Sequence, residues 1–282
     1  MTTVRRWRMT ADPPAADGVR SGRGRLAAGG RRLALAVTFL TGLPAPVSGE
    51  VGDTDLWASM GWYPLVGLGL GAAAWGVFAG LTAVLPQLVA AALVLLLLEI
   101  GTRGLHMDGL MDTCDGYFSG APRERALEIM KDSRAGAMGV VGAVLVLIVK
   151  VAALGALARA DAAAPLLAGW AAARALPPID IRLFAYARAE GTGAPFTRRR
   201  TLGPPALAAV LLVAAIAIAA TVNSGAGSWW APLVVAAIAM GVALLAQAAV
   251  AKRLGGLTGD VYGMGIVLAE TVALVVGAAL AR

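Results

Sequence analysis

Two stretches of this chain run without a charged residue for longer than a water-soluble fold accommodates: Leu56 to Leu98, 43 positions, and Thr201 to Ala251, 51 positions. About 20 apolar residues cross a bilayer as one helix, so each stretch has room for a helical hairpin. Pro86-Gln87 and Asn223 to Ser228 predict the two turns, because Pro, Asn, Gly and Ser punctuate chains in this way. Lys150 is the only charge between Arg134 and Arg159, and Glu270 the only one between Asp260 and Arg282, so both segments read as single spans. Residues 162–187 are apolar too, but Arg174, Pro177, Pro178, Asp180 and Arg182 interrupt them. They predict an irregular sixth span, of the broken kind that survives at membrane depth only beside protein or a wet cavity. The expected fold is all-α: a polytopic integral membrane helical bundle of about six transmembrane helices. The apolar stretch Leu33 to Leu43 has about half the length needed to span and is closed by Pro44 and Pro46. It predicts a short interfacial or re-entrant N-terminal helix.

Charge supports the same picture and orients it. Of the 282 residues, 59% are apolar and 15% charged, against about 45–50% and 25% in soluble domains. The net charge of +7 is concentrated in residues 1–32, which hold eight Arg against two Asp. The high isoelectric point therefore describes a tail, and no nucleic-acid partner is expected. Residues 1–32, rich in Arg, Gly, Ala and Pro, are expected to be a disordered cytoplasmic tail, with residues 33–282 forming the membrane catalytic domain. The remaining Lys and Arg cluster in residues 101–134, in 188–200 and at Lys252-Arg253, while the intervening loops carry Arg159 and little else. By the positive-inside rule, all the basic loops face the cytoplasm. With one Cys and one His, the chain has no disulfide framework and no Cys/His zinc site. Any metal is held by oxygen.

The chemistry is concentrated between Glu99 and Asp132, which hold seven of the 17 acidic residues. Asp108, Asp112 and Asp115 are spaced by four and three, which places them on one helical face. Carboxylates that close raise one another's pKa unless a cation shares the face. Mg²⁺ suits them, since it takes a few carboxylates together with substrate phosphates and keeps some waters. A solvated acidic helix face is the alternative. Gly104, Gly109 and Gly116 argue against it, because each costs a helix about 1 kcal/mol relative to Ala and is worth having where backbone or ligand must approach closely. Three aspartates at the bilayer centre would cost roughly 8–10 kcal/mol, so the tract belongs at the interface or in a wet cavity.

Around this tract, His106 is a candidate general base or phosphate donor, with a hydrogen-bonded structural role as its alternative. Lys131 and Arg134 are candidate phosphate-binding cations, with positive-inside anchoring as their alternative, Arg103 and Arg188 are candidate substrate contacts, and Asp132 is a candidate fourth metal ligand. The loop Gly255-Gly256-Leu257-Thr258-Gly259-Asp260 opens the last span, where helix N-terminal amides present N–H groups to phosphates. Thr258, Gly259 and Asp260 are therefore candidate substrate contacts. Glu270 lies about 15 Å into that span; it is either functional or paired with Arg174 or Lys150. Cys114 reads as a small packing residue.

The blocks Gly104-Leu105-His106-Met107-Asp108-Gly109-Leu110-Met111-Asp112-Thr113-Cys114-Asp115-Gly116, Glu128-Ile129-Met130-Lys131-Asp132-Ser133-Arg134 and Gly255-Gly256-Leu257-Thr258-Gly259-Asp260 resemble signature blocks of the adenosylcobinamide-GDP ribazoletransferase family, also called cobalamin synthase. Phe39-Leu40-Thr41-Gly42-Leu43-Pro44 resembles its opening block, with Gly42 where an Arg is expected. Tyr186-Ala187-Arg188, followed by Gly191 and Gly193, resembles a middle block. The resemblance covers roughly residues 33–281 and leaves the Arg-rich tail without a counterpart. It implies a Mg²⁺-dependent, multi-pass enzyme of the bacterial inner membrane whose site faces the cytoplasm. Such an enzyme joins adenosylcobinamide-GDP to α-ribazole or its 5'-phosphate and releases GMP. Its partners would be those small molecules and the lipid bilayer, with homo-oligomer formation left open. The Asp spacing is also similar to that of CDP-alcohol phosphotransferases, whose Asp-Gly-x-x-Ala-Arg start is absent. A lipid head-group transferase and an ion or cobalt transporter are the competing readings. The chain lacks the inverted internal repeat that many transporters carry.

Overall fold

A computed structural model describes residues 22–47, 50–188, 193–197, 201–223 and 228–281. Twelve helices follow one another along the described residues. They are α1 (Gly22–Leu40), α2 (Asp53–Ser59), α3 (Tyr63–Leu81), α4 (Gln87–Thr102), α5 (Leu105–Phe118), α6 (Arg123–Ile129), α7 (Ala137–Gly155), α8 (Trp170–Leu183), α9 (Ala194–Thr197), α10 (Gly203–Asn223), α11 (Ala231–Leu254) and α12 (Gly259–Leu280). The two turns predicted from Pro86-Gln87 and Asn223 to Ser228 separate α3 from α4 and α10 from α11, though residues 224–227 lie outside the described set. Tyr186 and Leu257 form an isolated parallel bridge.

Five helical segments are long and apolar enough to cross a membrane, and α4 counted with α5 makes a sixth. Their outward faces carry rows of exposed apolar side chains, such as Val140, Val144, Leu145 and Ile148 on α7 and Val210 and Val213 on α10. These are the faces a lipid solvent would cover.

The segment made of a π-helical turn (Pro165–Gly169) and α8 runs through the middle of this bundle and is buried at every residue from Pro165 to Pro178. Its entrance lies by the α3–α4 turn, where Arg159 Nε donates to Thr82 Oγ1 at 2.8 Å and Trp75 Nε1 donates to the Arg159 carbonyl at 2.9 Å. Its far end reaches the start of α12, where Gln247 donates to Asp180 at 2.8 Å and also to the Val261 carbonyl at 3.3 Å. The count of five long helices, or six with the α4–α5 pair, agrees with the about six spans expected, and this segment is the irregular stretch expected at residues 162–187. Protein, rather than lipid, surrounds its Arg174, Asp180 and Pro residues.

The N-terminal helix also differs from expectation. It begins at Gly22, inside the stretch read as tail. Its Arg31 is anchored to Asp55 at 3.0 Å and to the Glu50 carbonyl. The rest of the tail, residues 1–21, lies outside the described residues.

The site depends on how α4 ends. Arg103 (φ 56) and Gly104 (φ 64) both take left-handed backbone conformations, and the chain turns 89° from α4 into α5. Gly pays no steric penalty in that region. Arg103, which does, is held by donating to the Thr41 carbonyl at 3.1 Å. As a result α5 leaves the direction of the spans and lies across the N-terminal ends of α7 and α12, outside the membrane-spanning segments.

Candidate active site

Close backbone approach sets the geometry where α5 meets α12. A Cβ on Gly109 would lie 2.6 Å from the Asp260 carbonyl oxygen, so α5 can pack this tightly only with Gly there. The contact brings Asp108 and Asp112 beside Asp260, which opens α12. Asp260 accepts from Thr258 Oγ1 at 3.1 Å and pairs with Arg188 Nη1 at 3.0 Å. Thr258 is the N-cap of α12, accepting from Val261 N–H. Arg188 is delivered by the short parallel pairing upstream, in which Leu257 N–H donates to Ala185 and Ala187 N–H donates to Leu257. Arg123 pins this arrangement by donating to the Leu254 carbonyl at 2.7 Å and the Ala187 carbonyl at 3.2 Å. The sequence reading took Arg123 for a topology charge, and nothing in its local sequence marks the positioning role.

Asp112 is half-buried in this cluster. Burial first, then the carboxylates of Asp260 and Asp108, push its pKa up to about 7, with Arg188 opposing and Asp115 adding a little. Such a cluster is electrostatically incomplete. Among the described residues no three His, Cys, Asp or Glu side chains are arranged ready to hold a metal ion. A few carboxylates left open toward phosphate and water are nonetheless the donor set Mg²⁺ ordinarily takes.

Several expected ligands fall elsewhere. Asp115 shares the helix face as the spacing predicted, but its oxygens accept from Gly136 N–H and Gly139 N–H, both at 2.8 Å. It caps the N-terminus of α7 from a neighbouring helix, supplying the acceptor those amides otherwise lack. Asp132 is exposed and is tied to its own neighbour Arg134 at 2.7 Å, which holds its pKa down to about 2. It is not among the charges that act on Asp112. Of the expected set Asp108, Asp112, Asp115 and Asp132, the structure brings Asp108 and Asp112 together with Asp260 beside them, while Asp115 is turned to the α7 amides and Asp132 lies apart.

The phosphate-binding candidates also divide. Arg188 faces the cluster, and its Nε and Nη2 are buried without hydrogen-bond partners among the described residues. Arg103 serves the end of α1, while Lys131 and Arg134 sit on the exposed loop after α6. His106 is buried on the inner side of α5 and, with Asp108, Gly259 and Asp260, lines a cavity of about 180 Å³. Cys114 packs where a Cβ on Gly142 would meet its Sγ at 2.8 Å, as expected of a packing residue. Glu270 pairs with both Lys150, at 2.5 Å, and Arg174, the two partners expected for it as the alternative to a functional role.

Residues 32–278 match the family model described as cobalamin-5-phosphate synthase. This chain belongs to that family. It is 39% identical over 249 residues to the adenosylcobinamide-GDP ribazoletransferase of Desulfitobacterium hafniense, covering 85% of this chain and 93% of that protein. The ribazoletransferase of Brevibacillus brevis is 38% identical over 86% of this chain and 95% of its own length. That of Escherichia coli O17:K52:H18 is 38% identical over 84% and 95%. No solved structure gives a significant match. The match to the cobalamin-5-phosphate synthase family spans α5, the Arg188 segment and the start of α12, so the whole cluster lies inside it.

Proposed function

We propose that this chain joins adenosylcobinamide-GDP to α-ribazole or its 5'-phosphate and releases GMP, with Mg²⁺ as the metal and the site at the cytoplasmic face. The ribose 3'-hydroxyl oxygen attacks the phosphorus carrying the cobinamide arm. The bond from that phosphorus to the bridging oxygen breaks, and GMP leaves with the electron pair. Asp108, Asp112 and Asp260 would hold the Mg²⁺, which neutralises charge developing on the diphosphate. Arg188 contributes two unused donors, Nε and Nη2, to phosphate oxygens while Asp260 fixes its guanidinium. A carboxylate of the same group takes the proton from the attacking hydroxyl.

The observation that carries this reading is the Asp108–Asp112–Asp260 cluster with Arg188 opposed to it, in a chain that matches the family over its full catalytic length. The cytoplasmic orientation is supported by the basic residues Arg103, Arg123, Arg125, Lys131, Lys252 and Arg253, which gather at the α5 end of the bundle. The transporter reading loses its motive, since Arg174 and Glu270 neutralise each other inside the protein. Purified protein supplied with adenosylcobinamide-GDP, α-ribazole and Mg²⁺ is expected to yield GMP, detected by chromatography. Turnover of a CDP-linked lipid in place of these substrates would overturn the assignment.

A further inference from the structure

The cavity beside the acidic cluster has two kinds of wall. Asp108 and Asp260, with exposed Leu105, form the mouth, and the inner part is made of buried Met60, Tyr63, His106, Phe196 and Ile266 with Phe39 and Tyr262. The Phe39 ring lies nearly parallel to Tyr63, with centroids 6.1 Å apart, and tilts against Phe196 at 5.2 Å. The Tyr63 hydroxyl is buried beside Ser59 and makes no hydrogen bond of ordinary geometry. We propose that this inner part receives the heterocyclic base of the attacking nucleoside, an assignment that rests on the function proposed above.

Size is the first argument. A dry cavity of about 150 Å³ accommodates benzene, so one of about 180 Å³ that opens at its mouth takes a somewhat larger flat ring and excludes a corrin. Chemistry chooses between the two remaining rings. The base of α-ribazole is a dimethylated bicycle whose one unsubstituted ring nitrogen accepts a single hydrogen bond. Tyr63 offers a donor beside Ser59, and the His106 imidazole and the Tyr262 phenol are the other polar side chains of inner walls that are otherwise apolar. Guanine would bring a carbonyl and several N–H groups against Phe39, Met60 and Ile266, and leaving those unpaired is costly. With the base held there, the ribose emerges at the mouth beside Asp108 and Asp260, where its hydroxyl must be to attack phosphorus.

Steady-state kinetics of the purified enzyme test this by separating the two substrates. Tyr63→Phe removes only the hydroxyl and is expected to raise the KM for α-ribazole about tenfold, with the KM for adenosylcobinamide-GDP unchanged. For wild type, replacing the base by adenine is expected to lower kcat/KM by about 10–100-fold, because its amino edge enters an apolar wall. Phe39→Leu should follow Tyr63→Phe, and if it fails to fold, the other two measurements stand without it. A KM effect confined to adenosylcobinamide-GDP, or equal use of both bases, would overturn the base assignment and leave the ribazoletransferase reading intact. Absence of GMP from wild type would overturn both.

Discussion

Asp108, Asp112 and Asp115 share a helical face, yet the protein uses them differently, because α5 lies between two helix ends. Asp112 faces Asp260 across the contact with α12, whereas Asp115 accepts two amide hydrogens from α7. Asp112→Asn is therefore expected to lower GMP release by more than about 100-fold, beyond the loss typical of residues that merely support a metal ligand. Its thermal unfolding in detergent should not change. Asp115→Asn leaves one of the two amides poorly satisfied and should destabilise the protein by about 1–2 kcal/mol, read as a lower Tm. The sequence revealed that these residues lie together, since a spacing of four and three is a local property. It did not reveal their partners, because the amides of Gly136 and Gly139 and the carboxylate of Asp260 arrive from other helices.

At the level of elements, the site exists because α5 is turned away from α4 and pressed onto α12. The glycines of the tract pointed to close approach, and the structure supplies the surface approached: the backbone of Asp260 at Gly109. Gly109→Ala tests this with two opposed effects. Alanine favours helix by about 1 kcal/mol, but overpacking a tight contact costs about 1–3 kcal/mol. Backbone on both sides cannot yield as a flexible side chain would, so the second effect prevails. The variant should show a lower Tm and reduced GMP release together. The hairpins of α3–α4 and α10–α11 were readable from charge-free length and turn residues. The π-helical turn and α8 were readable as an irregular span and not as a regular one, because a segment wrapped by protein has no need of uniform hydropathy. The cavity walls Tyr63, Phe196 and Tyr262 gave no sequence signal, and Phe39 stood only in the opening block, because they are scattered over α1, α3, α9 and α12.

Across the whole molecule, Glu270 on α12 joins Lys150 on α7 and Arg174 on α8, tying three passes together beneath the site. Removing one member strands the others as buried charges, at a cost of about 3–5 kcal/mol. Glu270→Gln should thus reduce the yield of folded protein and its Tm, while GMP release per folded molecule stays near wild type; normal stability would show that the network is not the brace described. At the other end of the bundle, Asp112 and Asp260 are proposed to hold a divalent cation against the diphosphate. Electron paramagnetic resonance of Mn²⁺, used in place of Mg²⁺ with adenosylcobinamide-GDP, measures this directly. Mn²⁺ is predicted to bind wild type and Asp115→Asn and to be lost from Asp112→Asn and Asp260→Asn. Retention by the latter two, or loss only from Asp115→Asn, would contradict the account.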